Sequence, residues 1–275
     1  MESAVTVARA RALLAASPHP LGFVPTMGAL HAGHLELVAR ARERCATVAV
    51  SIFVNPLQFG QNEDLAKYPR DLEQDRAMLA GAGADLLFAP EASEMYAADF
   101  ATYVEPGPLA NVFEGAIRPG HFRGVATVIA KLLNIVRPDV LVLGQKDAQQ
   151  AVLLRKTMAD LNVPVELEIV PTVREPDGLA MSSRNRYLDP EQRAAASALH
   201  RALTVAKEAL QRGTGKADAM AAAMAELRSA TSVDYIDVVD AQTFAPIETI
   251  RPPAFVIGAA HFGATRLIDN LWISK

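Results

Sequence analysis

The chain has 275 residues, of which 51% are hydrophobic and 21% charged, and its 27 basic and 31 acidic residues give a formal net charge of −4. This length predicts one large or two modest domains, and the composition argues against a disordered or coiled-coil protein. A protein that binds polyanions would usually be basic, so the charge argues against nucleic acid as a partner. The single cysteine, Cys45, excludes an internal disulfide and a multi-cysteine zinc site.

The sequence contains no apolar stretch near the roughly 20 residues that a membrane-spanning helix needs. The apolar run at 12–16, behind Arg9 and Arg11, is too short for a signal peptide. It predicts instead a first amphipathic helix that ends where Ser17-Pro18 begins. We therefore expect a cytoplasmic protein without a membrane partner.

Short apolar segments then alternate with longer helical patterns. The predicted strands are Leu21–Pro25, Thr47–Val54, Asp85–Phe88, Asp139–Leu143 and Val165–Ile169. The helical patterns between them lie at about Gly33–Arg44, Asp71–Ala80, Phe122–Val136 and Asp147–Leu161. Continuously apolar strands are typical of sheets covered by helices on both faces, and this alternation favours a parallel α/β sheet.

The pattern changes after about residue 170. A turn-rich segment at 171–178 is followed by two helical stretches and three short strand patterns: Pro190–Arg212, Lys216–Ser229, Val233–Val239, Ala254–His261 and Thr265–Asn270. This order is typical of an α+β domain, so we predict two domains, 1–171 and 172–275. The glycine motifs at 81–83 and 213–216 lack residues that a nucleotide-binding loop needs, and both are interpreted as ordinary loops.

In open α/β sheets ligands bind at the carboxyl ends of the strands, so the segments directly after strands are the candidates. The most specific one follows the first strand and opens a helix: Met27-Gly28-Ala29-Leu30-His31-Ala32-Gly33-His34. A helix N-terminus favours an anion, and two imidazoles beside it could donate hydrogen bonds to phosphate oxygens during nucleotidyl transfer. The alternative is that His31 and His34 merely cap the helix.

Three further segments also follow strands or the domain boundary. Lys146, in Gly144-Gln145-Lys146-Asp147, could neutralise phosphates, or it could be half of a solvated Lys-Asp pair. Met181-Ser182-Ser183-Arg184 could close over phosphates as a lid, or be an ordinary serine-rich turn. Asn55 and Gln58 carry amides that suit a small polyhydroxy substrate, although Asn55-Pro56 alone is a common turn. Gln149 and Gln150 are consecutive, so at most one of them should face a ligand.

The string His31-Ala32-Gly33-His34 resembles the His-x-Gly-His signature of the nucleotidyltransferase superfamily. Together, the segments 25–34, 55–60, 144–150 and 177–185 resemble the pantothenate synthetase (pantoate–β-alanine ligase) family in order and spacing. The resemblance covers nearly the whole chain, and 114–124 also fits it. One departure is Gln145, where the family often carries glutamate.

The resemblance implies an ATP-dependent condensation of D-pantoate with β-alanine, through a pantoyl adenylate that releases pyrophosphate and then AMP. It implies a Rossmann-like N-terminal domain that binds ATP and pantoate, and a smaller α+β lid domain. ATP with Mg²⁺ and a cytoplasmic homodimer are also implied. An apolar stretch such as 165–170 could support pairing of two chains or could be core.

The resemblance also implies roles for individual residues. The residues expected to contact ATP are Met27, Gly28, Ala29, Leu30, His31, Ala32, Gly33, His34, Gly144, Gln145, Lys146, Asp147, Val173, Met181, Ser182, Ser183 and Arg184. Those expected to act in catalysis are His34, His31, Lys146 and Arg184, and those expected to hold pantoate or β-alanine are Gln58, Gln150, Asn55 and Arg118. Asp75 is expected near a magnesium ion carried by the phosphates, or else is an acid on a helix surface.

Two other functions fit part of the pattern. A related nucleotidyltransferase would leave the nucleotide on its product, so released AMP would separate it from a ligase. A nucleotide-binding regulator without activity would have lost a catalytic side chain, and His31, His34, Lys146 and Arg184 are all present.

Overall fold

The computed structural model describes residues 1–60, 63 and 65–274. The chain divides into two compact units, the first made of Met1–Gly144 and Leu153–Val170, the second of Gln145–Val152 and the chain from Pro171 onward. The second unit thus includes residues 145–152, which the sequence analysis places within the first domain. Within the described ranges, no helix is both long and apolar enough to cross a bilayer.

The first unit contains six strands and most of the helices. Its strands are β1 (Glu2–Ala4), β2 (Leu21–Thr26), β3 (Thr47–Ile52), β4 (Leu86–Phe88), β5 (Val140–Gly144) and β6 (Glu166–Val170). Its helices are α1 (Val7–Ala15), α2 (Ala32–Arg44), α3 (Leu72–Gly81), α4 (Ala92–Met95), α5 (Glu114–Ile117), α6 (His121–Val136) and the end of α7 (Ala148–Asp160), with 3₁₀ turns at Pro56–Gln58 and Pro108–Asn111.

The six strands form one parallel sheet in the order β1-β4-β3-β2-β5-β6. Alternate residues of the inner strands β2 to β5 enter two different cores, as in β5, where Leu141 and Leu143 pack with α1 and α6 while Val140 and Val142 pack with α2. A period of two with both faces buried requires helices on both sides of the sheet. The predicted parallel α/β fold is therefore confirmed, and Cys45 is buried.

Strand order reverses beside β2, because β3 and β4 follow it on one side and β5 and β6 on the other. The carboxyl ends of β2 and β5 therefore form the switch point at which doubly wound sheets bind ligands. At one edge of the sheet, Glu166 and Glu168 of β6 form ion pairs with Arg44 of α2. Strand β1 was not predicted from the sequence.

The second unit is an α+β structure. It contains a 3₁₀ turn at Gln145–Asp147, the start of α7, a second 3₁₀ turn at Ser183–Tyr187, α8 (Pro190–Ala196), α9 (Ala198–Gln211), α10 (Lys216–Glu226), a 3₁₀ turn at Leu227–Ser229, β7 (Ser232–Asp240), β8 (Ala254–Phe262) and β9 (Thr265–Ile273). The strands form an antiparallel sheet in the order β7-β8-β9, whose core includes α9 and α10.

The single helix predicted at 190–212 is wrong, because the structure divides it at Ser197. Its backbone stays helical, with φ −62° and ψ −16°, but its hydroxyl donates a hydrogen bond to the Ala194 carbonyl at 3.2 Å. Serine hydroxyls that bond back to a preceding carbonyl compete with the helix hydrogen bonds and bend the helix.

Helix α6 approaches the 3₁₀ turn at Pro56–Gln58 very closely, and Gly124 makes this possible. A Cβ at Gly124 would lie 2.2 Å from the Leu57 carbonyl oxygen and 2.7 Å from the Gln58 nitrogen. The contact places the turn after β3, which carries Gln58, against a rigid helix.

Gly124→Ala should lower the free energy of unfolding by about 2 kcal/mol, because the added methyl group would overlap the backbone of Leu57 and Gln58 and force the helix and the turn apart. Gly81→Ala is the matched control, since Gly81 also lies in a helix but its Cβ would meet open space. Urea denaturation of both variants measures the difference. Equal stability of the two variants would show that α6 and the turn can separate without cost.

Candidate active site

The chain leaves β2 through a turn whose backbone is unusual. Gly28 has φ +80° and Ala29 has φ +52°, so two consecutive residues lie in the left-handed region. Glycine adopts this conformation readily, whereas alanine does so only where its surroundings hold it there. The Gly28 N–H donates to Thr26 Oγ1 at 3.2 Å, which ties the turn to the end of its own strand.

Asp75 of α3 holds the rest of this turn. Its Oδ2 accepts the Ala29 N–H at 2.9 Å and its Oδ1 accepts the Leu30 N–H at 2.8 Å. Asp75 is only 3% exposed, so the alternative of an acid on a helix surface is wrong. A carboxylate that accepts two backbone N–H bonds in a buried place compensates polar groups that would otherwise be costly to bury.

The turn ends at the start of α2, where two histidines cap the helix reciprocally. His31 Nδ1 accepts the Gly33 N–H at 3.2 Å, and His34 Nδ1 accepts the His31 N–H at 3.3 Å. A neutral imidazole that accepts at Nδ1 carries its hydrogen on Nε2. The alternative that the two histidines cap the helix is therefore correct. The cap also assigns the same tautomer to both neutral rings, with the hydrogen on Nε2.

The turn after β3 holds Gln58 through a buried amide. Asn55, which is 1% exposed, donates from Nδ2 to Gln58 Oε1 at 3.0 Å and to the Gly124 carbonyl at 3.2 Å. Its Oδ1 accepts from the Tyr96 hydroxyl at 2.8 Å and from the Leu57 N–H at 3.3 Å. These four bonds use both hydrogens and both lone pairs of the Asn55 amide, one of them to the Gln58 side chain.

Gln58 also meets the histidine-bearing turn, because its Nε2 donates to Met27 Sδ at 3.1 Å. Two segments that the sequence analysis treated separately are thereby in contact within the first unit. Sulfur is a weak acceptor, so this bond orients the Gln58 amide without engaging it strongly.

The backbone of Gln58 is held separately, by His121 and Arg118. His121 Nδ1 donates to the Gln58 carbonyl at 2.9 Å, and Arg118 NH1 lies 3.1 Å from His121 Nε2. Arg118 also makes a two-pronged ion pair with Glu63, at 2.8 and 2.6 Å. Burial lowers the pKa of His121 to about 4, with a further contribution from Arg118, so the ring is neutral.

These contacts change what Arg118 is expected to do. Its side chain is 18% exposed, and Glu63, His121 and the Gln58 carbonyl accept four of its five N–H hydrogens. Arg118 and His121 thus both hold the backbone of Gln58, and the sequence analysis gave His121 no role of its own. The only sequence signal was the presence of His121 in the stretch 114–124.

In the second unit, Lys146 lies in the 3₁₀ turn Gln145–Asp147, with its Nζ 3.8 Å from Asp147 Oδ1. Asp147 is 52% exposed, so this pair adds little stability. Lys146 and Ser182 line one small cavity, together with His200 and Asp269. The structure thus brings together a lysine and a serine that are 36 positions apart and were both predicted to bind ATP.

A short hairpin carries the segment Met181–Arg184. The Met181 N–H donates to the Val173 carbonyl at 3.0 Å, and Ser182 Oγ accepts the Arg184 N–H at 3.3 Å. Ser182 thus caps the following 3₁₀ turn, while its hydroxyl hydrogen is not used by that bond. Gln149 is buried and Gln150 is partly exposed, so Gln150 is the member of this pair that a ligand could reach.

Comparison with known proteins identifies the family. The sequence model of the family described as pantoate-beta-alanine ligase matches residues 2–272. The chain belongs to this family. It is 53% identical over 277 residues to a pantothenate synthetase of Chloroflexus aggregans, with 99% of each chain covered.

Two solved structures of the pantoate–β-alanine ligase family agree with this assignment. A pantothenate synthetase from Thermus thermophilus is 50% identical, with all of both chains covered and a TM-score of 0.95. A pantoate-beta-alanine ligase from Francisella tularensis, described as complexed with beta-gamma ATP and beta-alanine, is 33% identical. The alignment covers 99% of this chain and 97% of the Francisella tularensis chain, with a TM-score of 0.82.

The neutral His121 predicts a specific pH dependence of stability. Its folded pKa of about 4 lies below the unfolded value of 6.5. The unfolded chain therefore takes up the proton first, and stability that is present above pH 6.5 is lost as the pH falls towards 4. Between about pH 7.5 and pH 5 this group should cost about 2 kcal/mol of unfolding free energy.

His121→Asn retains a donor for the Gln58 carbonyl but cannot be protonated in this range, so it should lose about 2 kcal/mol less than the unchanged chain over the same pH interval. Urea denaturation at the two pH values measures both proteins. Parallel loss of stability in both would mean that His121 does not carry this pH dependence.

Proposed function

We propose that this chain condenses D-pantoate with β-alanine to pantothenate in an ATP-dependent reaction. The observation that carries the proposal is the reciprocal cap formed by His31 and His34 after β2, at the switch point of a doubly wound sheet. Membership of the pantoate–β-alanine ligase family supports the same reaction, an amide-forming ligation.

The chemistry requires activation of a carboxylate. A carboxylate reacts poorly with an amine, because an oxide would have to leave. In the proposed first step a pantoate carboxylate oxygen attacks the α-phosphorus of ATP, the bond to the bridging oxygen breaks, and pyrophosphate departs. The β-alanine amine then attacks the acyl carbon of the pantoyl adenylate, AMP leaves, and the amine loses a proton.

The first unit supplies donors for the developing phosphate charge. His34 and His31 are proposed to donate from Nε2 to phosphate oxygens, a use that preorganised donors serve best because they need no reorientation during reaction. The turn Met27–Leu30 is proposed to lie along the nucleotide, with Ala32, Gly33 and Gly144 as further backbone contacts. Asp75 acts through this turn, by holding its N–H groups.

The second unit supplies positive charge and hydroxyl groups. Lys146 and Arg184 are proposed to neutralise the triphosphate, with Ser182 and Ser183 as hydrogen-bond donors. Val173, Met181, Gln145 and Asp147 are proposed as neighbouring contacts of ATP. Closure of this unit as a lid stays a prediction.

For the acid and the amine, we propose contacts by the amides of Gln58 and Gln150. Gln58 is the better supported, because its side chain and its backbone are each held by separate partners. Asn55 and Arg118 serve as positioning residues for Gln58, in place of the direct contacts expected from the sequence.

Magnesium is proposed to arrive with ATP and to reduce the charge of its phosphates. Mg²⁺ prefers oxygen ligands and commonly binds through substrate phosphates with one or two carboxylates. Asp75 is only 3% exposed and both of its oxygens accept backbone hydrogen bonds, so we assign the ion to the phosphates and Asp75 to the turn. The homodimer, the cytoplasmic location and the lack of a nucleic-acid partner stay predictions.

The deciding experiment is exchange of labelled pyrophosphate into ATP, with Mg²⁺ and D-pantoate and without β-alanine. Exchange that requires pantoate establishes the adenylate half-reaction, and β-alanine should then release AMP. Intact ATP binding without exchange would contradict the choice of acid. A nucleotide retained on the product would favour a nucleotidyltransferase, and ATP binding without any turnover would favour a regulator.

His34→Ala and Lys146→Ala should each lower kcat of the exchange reaction by about 10²–10³, the scale expected for losing one charge-stabilising donor. Steady-state exchange rates at saturating ATP and pantoate measure this. Turnover within a few-fold of the unchanged chain in both variants would remove these residues from the mechanism.

A further inference from the structure

Asn270 of β9, which the sequence analysis gave no role in a site, forms hydrogen bonds with the turn that carries Lys146. Its amide is 2% exposed. Nδ2 donates to the Gln145 carbonyl at 2.9 Å and to the Lys146 carbonyl at 3.0 Å, and Oδ1 accepts from Gln145 Nε2 at 3.1 Å. Carbonyl oxygens only accept, so the NH₂ end of the amide must face them.

These two carbonyls belong to the peptide units on either side of the Lys146 Cα. Peptide units are planar, so the conformation of a residue is set by the two dihedral angles between them. One NH₂ group that binds both units therefore restrains both dihedral angles of Lys146. The direction in which the lysine side chain leaves the backbone then follows from the position of Asn270.

The backbone of Asn270 is itself held firmly. Its carbonyl accepts from Arg174 NH2 at 3.2 Å, and its N–H donates to Asp269 Oδ1 at 2.7 Å. Arg174 and Asp269 form a buried two-pronged ion pair at 2.7 and 2.9 Å. Burial opposes ionisation of Asp269, but His200 and Arg174 beside it hold its pKa below the ordinary value.

Gln145 supplies the second part of this arrangement. Its amide donates to Asn270 Oδ1, which keeps the opposite end of the Asn270 amide turned to the carbonyls. A glutamate at 145 would present an acceptor to Oδ1 in place of this donor. The glutamine found here, where the family often carries glutamate, therefore fits the asparagine at 270.

We propose that Asn270, oriented by Gln145, is the positioning residue for Lys146 and thereby for its contact with the triphosphate. The proposal rests on the role proposed above for Lys146. It requires that the effect of changing Asn270 be transmitted through the lysine and not through a general loss of structure.

A double-mutant cycle on ATP affinity tests this, using titration calorimetry of the full-length chain and four proteins: unchanged, Asn270→Leu, Lys146→Ala and the double variant. Leucine is the apolar residue closest to asparagine in shape, and it adds no charge. Asn270→Leu should weaken ATP binding about 10-fold in the unchanged chain but less than about 3-fold when Lys146 is already alanine, because contributions of coupled residues are not additive.

Gln145→Met is the second variant, for the case that Asn270→Leu does not fold. It should weaken ATP binding by about 3-fold in the unchanged chain and by less in the Lys146→Ala chain, where only the proposed contact of Gln145 itself with ATP remains to be lost. Asn134→Leu is the matched control, since this exposed amide also donates to a backbone carbonyl, that of Ala130, and it should leave ATP affinity unchanged.

Equal losses with and without Lys146, or full affinity in both Asn270→Leu and Gln145→Met, would overturn the proposal. Pantoate-dependent exchange, measured on the same proteins, keeps this result distinct from the fate of the ligase reaction. Absence of exchange in an unchanged chain that binds ATP would remove that reaction and leave the affinity cycle valid.

Discussion

Parallel strands that are covered on both faces can meet a ligand only at their ends, and strand order decides which ends are open. In the first unit the order reverses beside β2, so α2 packs on one face of the sheet and α6 and the end of α7 on the other. The chain must cross this opening in a short turn. Its N–H groups are buried there and need partners, and Asp75 supplies them. By fixing this turn, Asp75 also positions His31 and His34, which follow it directly.

The sheet could largely be predicted because most of its strands are visible as patterns of neighbouring residues in the sequence. The inner strands are apolar by themselves, and five of the six strands of the first unit were predicted within two residues at each end. Strand β1 has three residues and pairs with β4, more than 80 positions away, so no local pattern indicates it. The break at Ser197 was missed because it depends on one hydroxyl that bonds to a carbonyl instead of to solvent.

The site, too, has parts that the local sequence indicates and parts that it does not. Residue types that carry chemistry, such as His34 and Lys146, stand in recognisable local strings. Their supports do not, because Asp75 lies 46 positions from Ala29 and Asn270 lies 125 positions from Gln145. Burial also gave some residues a role different from the one that their residue type suggests. Asn55 has the chemistry of a substrate ligand, but the structure uses all of its hydrogen-bonding capacity to hold Gln58.

The reciprocal cap explains why histidine, and not one of the usual capping residues, opens α2. Serine, aspartate or asparagine would satisfy the same backbone N–H groups at least as well, but their polar atoms lie at one end of a short side chain. An imidazole has two nitrogens on either side of one carbon of a rigid ring, and their hydrogen-bonding directions diverge. When Nδ1 accepts a hydrogen bond from the helix backbone, the orientation of the ring is set, and with it the direction of the Nε2–H. The interaction that stabilises the start of the helix therefore also aligns a hydrogen-bond donor.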